Sequence, residues 1–137
     1  APDLDKIREA LARVAANSQP LHISLGELGG FPALRRPRVL WAGVGGDMDA
    51  LEALQEKVEA AMEGLDFPRE RRAFSPHLTL GRVRDTISAV ARQRVGGLMS
   101  QASLDGADPW PVNGVHLMRS NLTPHGAVYT SLGSVSL

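Results

Sequence analysis

The stretch Phe74-Ser75-Pro76-His77-Leu78-Thr79-Leu80-Gly81-Arg82 holds the residues best suited to chemistry. On a strand, side chains alternate between faces, so His77 and Thr79 project one way and Leu78 and Leu80 the other, toward a core. An imidazole and a hydroxyl two residues apart on one rigid face can hold one phosphate. The ring moves a proton while the hydroxyl donates to a non-bridging oxygen. Pro76 suits a strand's first position. Arg82 and Arg84 add permanent charge fit for bidentate contact with a phosphoryl group. Strict alternation sends Arg82 to the face opposite His77, so its participation requires a bulge at Gly81 or an approach from the edge. Taken alone, H-x-T is more often an ordinary strand histidine satisfied by a neighbour.

Other candidates are weaker. His22-Ile23-Ser24-Leu25 also spells H-x-S-x, but it reads as a solvent-facing strand histidine. Gly43-Val44-Gly45-Gly46-Asp47-Met48 lies between a strand and a helix as a dinucleotide fingerprint would, yet Met48 stands where the third glycine belongs. Simple turn punctuation explains it. His22, His77, His116 and His125 never fall three or four apart, so no local metal pair exists and no metal or cofactor is expected. Arg35, Arg36 and Arg38, with Arg69, Arg71 and Arg72, read as solvated loops or as the rim of a phosphate-binding cleft. Six aromatics in all argue against extensive base stacking. Trp41 and Phe74 are expected in strands and core, and Trp110 in a loop.

These residues need elements to position them. Leu4, Ile7, Leu11 and Val14 predict a helix over 3–17, capped by Asp3. Leu21, Ile23 and Leu25 alternate as a strand, Gly29, Gly30 and Pro32 mark a loop, and residues 39–44 form a short buried strand. Met48, Leu51, Leu54, Val58 and Met62 line one face of a second helix over 48–63, with Asp49 and Glu52 resembling a capping box. A strand over 74–83 carries His77. A third helix covers 86–101, weakened by Gly96 and Gly97, and strands follow at 112–122 and 127–135. Each of the helices 3–17 and 86–101 thus precedes two strands. If these units are duplicates, the strand that should precede the first helix lies upstream of Ala1.

The chain has 137 residues, 43% of them hydrophobic and 22% charged, the profile of one soluble domain spanning 1–137. The absence of cysteine excludes thiolate chemistry and cysteine-based zinc sites. No apolar run approaches the ~18 residues of a bilayer span, so a cytoplasmic, monomeric protein without a membrane partner is expected. Fifteen basic residues balance fifteen acidic ones, and bulk attraction to nucleic acid is not predicted. The distribution is uneven: residues 45–66 sum to −6, and residues 67–101, around the H-x-T strand, to +5.

Pro76-His77-Leu78-Thr79-Leu80-Gly81-Arg82 resembles the second signature of the 2H phosphoesterases, specifically the LigT-like RNA 2',3'-cyclic phosphodiesterases, also called 2'-5' RNA ligases. Pro37-Arg38-Val39-Leu40-Trp41-Ala42-Gly43 is similar to that family's strand before the middle helix. Ser120, Leu122, Gly126, Tyr129 and Thr130 resemble its closing S-x-L-x-x-x-G-x-x-Y-T stretch. The resemblance implies an α+β, two-lobed, pseudo-symmetric fold with antiparallel sheets flanked by helices. It also implies one H-x-[T/S]-x motif per lobe, working on a phosphate without metal. Carried over, His77 and Thr79 are the catalytic pair, with Arg82 and Leu80 contacting substrate. The partners implied are RNA ends or nucleotides bearing a 2',3'-cyclic phosphate, opened to a 2'-phosphate, with 2'-5' ligation as the reverse reaction. The first motif belongs on the strand before helix 3–17, so the chain is expected to be N-terminally shortened and impaired. The alternatives are a non-catalytic module that binds phosphate or RNA ends, and a 2H phosphodiesterase for a small cyclic nucleotide.

Overall fold

Asp3 begins the first element as expected, its carboxylate accepting from the N–H groups of Asp5 and Lys6 at 3.1 and 3.3 Å. The structure, a computed structural model, describes residues 3–104 and 108–137. Helix α1 (Leu4–Ala16) buries Ile7, Ala10, Leu11, Val14 and Ala15 at spacings of three and four. It packs against α2 (Met48–Glu63) and against the hairpin β5 (Gly114–Thr123) and β6 (Gly126–Ser136). The Arg8 guanidinium donates to the carbonyl of Leu132, from Nε at 3.0 Å and also from Nη2, joining α1 to β6. Helix α2 departs from expectation at its start. Its cap is Asp47, and Asp49 lies within the first turn rather than closing a capping box. The preceding Gly46 has φ +97°, and a Cβ there would sit 2.5 Å from the His22 carbonyl oxygen, so glycine is required.

Strands β1 (Leu21–Phe31), β2 (Val39–Gly46), β3 (His77–Arg82) and β4 (Trp110–Val112) form one sheet in the order β3-β2-β1-β4. Both β1–β2 and β2–β3 are antiparallel. Strand β1 runs through Gly29 and Gly30, which the sequence presents as loop punctuation. The reason is steric: the Trp41 ring lies over Gly29, where a Cβ would meet the indole at 2.2 Å. Helix α3 (Ala89–Gln101) is capped by Ser88, whose Oγ accepts from the Ala91 N–H at 3.1 Å, and so starts later than position 86. Gly96 does not merely weaken this helix. A Cβ there would lie 1.6 Å from the Leu34 carbonyl oxygen, so the glycine lets α3 approach the 32–38 loop.

Three further expectations need correction. Trp110 opens strand β4 rather than lying in a loop. Phe74 precedes β3 and is exposed. Leu78 and Leu80 are 49% and 50% exposed rather than in the core, because β3 is an edge strand with β2 as its one neighbour among the described residues.

The residues divide into two compact units. Among the described residues, one comprises 3–21, 47–73 and 111–137, holding α1, α2 and the β5–β6 hairpin; the other comprises 22–46, 74–104 and 108–110, holding β2, β3, α3 and nearly all of β1. The repeat read from the sequence takes a particular form here. Helix α1 belongs to the first unit and the β1–β2 hairpin after it to the second, whereas α3 belongs to the second and the β5–β6 hairpin after it to the first. Among the described residues, no helix is long and apolar enough to cross a membrane.

Candidate active site

Pairing between β2 and β3 decides which side chains share a face. His77 pairs with Gly43, Leu78 with Ala42 and Thr79 with Trp41; after that the register shifts, and Gly81 pairs with Leu40 and Arg82 with Val39. Leu80 is therefore the extra residue of a β-bulge on β3. Directly opposed residues project on the same side of a sheet, and Val39, Trp41 and Gly43 alternate onto one face of β2. The bulge thus brings Arg82 to the face of His77 and Thr79, which unbroken alternation would forbid. The irregularity required for Arg82 exists, at Leu80 rather than Gly81. All three side chains are exposed, and no ion pair neutralises Arg82 among the described residues.

The imidazole has a defined setting. His77 Nδ1 lies 2.6 Å from the carbonyl oxygen of Ser75. A carbonyl can only accept, so Nδ1 carries the proton of the neutral ring and Nε2 keeps its lone pair. Nε2 has no partner among the described residues, and a neutral ring in this tautomer can accept a proton there. Two aromatics that sequence reasoning did not assign to a site stand beside it. Phe31 meets His77 edge-on, centroids 5.1 Å apart at 88°, and Trp41 lies 6.4 Å from His77 and 5.2 Å from Phe31. Phe31 was hidden beyond an apparent Gly-Gly loop, and Trp41 resembled a core residue. The Trp41 Nε1–H is buried without a hydrogen-bond partner among the described residues, an arrangement that costs about 1–3 kcal/mol.

The remaining candidates fall elsewhere. His22 and Ser24 stand on β1, separated from β3 by β2, and Ile23 pairs with Gly46 where His77 pairs with Gly43. Gly43 to Gly46 lie within an antiparallel strand, not the parallel unit of a dinucleotide site. His116 lies on β5 opposite Ser134, and His125 in the turn before β6. Arg69 is not available to a ligand as a bare cation. Its Nε and Nη1 donate to Glu63 and Glu56 at 2.6 and 2.7 Å, which raises its pKa above the ordinary guanidinium value. Among the described residues, no cluster of three His, Cys, Asp or Glu side chains could hold a metal ion.

Antiparallel sheets flanked by helices make the fold of a 2H phosphoesterase. A crystal structure from Thermus thermophilus is similar in fold, with a TM-score of 0.64 and 30% identity, covering 98% of this chain and 69% of its own. The sequence model of the 2'-5' RNA ligase superfamily matches residues 1–124, and the chain belongs to that family, as its LigT-like motifs indicate. A relative from Aeropyrum pernix named RNA 2',3'-cyclic phosphodiesterase is 31% identical over 134 residues, 98% of this chain and 73% of the relative. A protein of the same name from Methanothermobacter thermautotrophicus is 30% identical over 129 residues, 94% of this chain and 67% of the relative.

Proposed function

We propose that this chain supplies the His77 half of an RNA 2',3'-cyclic phosphodiesterase site that works without a metal. His77 Nε2 takes a proton from water as its oxygen attacks phosphorus. The P–O3' bond breaks, an acid returns a proton to O3', and the products are a terminal 2'-phosphate and a free 3'-hydroxyl. Thr79 Oγ1 donates to a non-bridging phosphoryl oxygen, and Arg82 offsets its growing charge. Leu80, half exposed at the bulge, gives the sugar an apolar contact. A ribose 5'-hydroxyl replacing water would form a 2'-5' bond instead. The acid belongs to a second H-x-[T/S]-x motif. His22-Ile23-Ser24, the other motif of that spelling in residues 1–137, stands on β1 with β2 between it and the strand of His77, so on their own these residues are proposed to turn over slowly.

The observation that carries this reading is the bulge at Leu80, which gathers an imidazole, a hydroxyl and an unpaired guanidinium onto one face. The test is hydrolysis of an RNA ending in a 2',3'-cyclic phosphate, followed by phosphorus NMR. The expected product is the 2'-phosphate, formed equally well with EDTA and lost in His77→Ala. Tight binding of the 2'-phosphorylated end without turnover, by a chain that carries both motifs, would replace the reading with that of a binding module. Strong inhibition by chelator would replace it with a metal mechanism.

A further inference from the structure

Beyond the end of β3 the second unit contains a cleft of about 670 Å³ whose polar lining is Arg35, Arg36, Arg38, Arg92 and Asp85. Four guanidinium groups face one carboxylate. Arg92 braces the surrounding backbone, its Nη1 donating to the Pro37 carbonyl at 2.8 Å and its Nη2 to the Arg84 carbonyl at 3.1 Å. The loop is fixed by its own main chain as well, since the Arg38 N–H donates to the Phe31 carbonyl at 2.7 Å and the Val83 N–H to the Arg38 carbonyl at 2.8 Å. The exposed guanidinium groups of Arg35, Arg36 and Arg38 are in no ion pair among the described residues. Three unneutralised cations are therefore held on a braced loop, in a chain whose net charge is zero.

We propose that this cleft binds the phosphodiester backbone of single-stranded RNA leading to the reacting end, which makes oligonucleotides rather than single nucleotides the preferred substrate class. The proposal rests on the reading of His77 given above. His77 and Arg82 are five positions apart, roughly 15 Å along the strand, and the cleft includes Asp85 beyond that strand's end. Pro32 of its lining directly follows Phe31, whose ring centroid lies 5.1 Å from that of His77, so the cleft is placed for the phosphates that precede the reacting one. Planar guanidinium forks suit phosphodiester oxygens, and a cleft without aromatic lining grips the backbone rather than the bases.

The test compares the native protein with R35Q/R36Q/R38Q, measuring affinity for a short single-stranded RNA ending in a 2'-phosphate and for a nucleoside 2'-phosphate. The RNA dissociation constant should rise about 10-fold or more at low salt. The log–log salt dependence should become shallower by about 2, or ~0.7 for each of three lost phosphate contacts. Nucleoside 2'-phosphate should bind as before. D85N, which removes the cleft's one carboxylate, should tighten RNA binding. Unchanged RNA affinity in the triple variant overturns the proposal, as does an equal loss for the nucleoside 2'-phosphate. Displacement of RNA by polyglutamate at equal charge concentration would also overturn it, making the cleft a general polyanion site. The two readings fail separately. Hydrolysis of a nucleoside 2',3'-cyclic phosphate tests His77 without the cleft, and RNA binding tests the cleft without turnover.

Discussion

Arg69 and Arg38 carry the same charge in opposite circumstances. In the unit built from α1, α2 and the β5–β6 hairpin, Arg69 donates to Glu56 and Glu63, and Arg8 to Asp5 and the Leu132 carbonyl. In the unit built on β1, β2, β3 and α3, no ion pair is formed by Arg35, Arg36, Arg38 or Arg82 among the described residues. The first unit uses Arg8 and Arg69 to hold itself together, whereas the second spends Arg92 on its backbone and leaves Arg35, Arg36, Arg38 and Arg82 exposed. The acidic run 45–66 explains the division: it folds largely as α2 and captures Arg69 from the neighbouring basic stretch. A charge sum over sequence therefore overstates the cationic surface of the one region, while a neutral total conceals that of the other.

The histidines break or sharpen this contrast most strongly. His77→Ala should lower cyclic phosphate hydrolysis by about 10²–10⁴-fold, the contribution of a positioned general base, while His116→Ala on β5 should leave it within experimental error. Equal losses would remove the distinction between the units. Next comes Thr79. Thr79→Val preserves shape and removes the donor, so kcat should fall by about 10²-fold, with Thr79→Ser restoring most of it. A valine variant as active as the native protein would leave the hydroxyl without a phosphate to hold.

Packing beneath the site gives a smaller effect. Gly29→Ala puts a methyl into the Trp41 ring and should cost about 1–3 kcal/mol in urea unfolding. It should also shift tryptophan fluorescence as the indole leaves its place beside His77. Gly81→Ala, whose added Cβ has no neighbour within 4 Å, should unfold like the native protein. Matching behaviour of the two variants would mean that the Trp41–Gly29 contact does not organise this face.

What the sequence made legible follows from the range of the interactions involved. Helix α1 and its Asp3 cap depend on residues within one or two turns, and both were readable, as was the H-x-T pair, whose shared face needs only local strand geometry. The bulge at Leu80 was required by the argument for Arg82 but could not be located, because register is set by Val39 to Gly43 on another strand. Gly29 looked like a breaker because the ring that demands it is Trp41, across the sheet. Phe31 was missed for the same reason, its partner His77 lying 46 positions further along the chain. The exposure of Leu78 and Leu80 depends on β3 being an edge strand, a property of topology that alternation does not encode.

Arg69 provides the smallest expected effect and the most direct check on the division between units. Its raised pKa comes first from hydrogen bonding to Glu56, then from Glu63. A group whose pKa is raised on folding contributes its stability fully below its unfolded value and loses it only as pH rises through the raised one. Near neutrality, then, the Arg69 contribution is constant with pH. It is also solvent-screened, as exposed ion pairs are. Arg69→Gln should consequently produce only a slight fall in unfolding midpoint, similar at pH 6 and pH 8, and largely erased by high salt. RNA affinity should not change, since both carboxylates that hold this guanidinium compete with any phosphate for it. A loss of RNA affinity comparable to that of R35Q/R36Q/R38Q would show that Glu56 and Glu63 yield Arg69 to the ligand, and the first unit would then share the cationic role assigned here to the second.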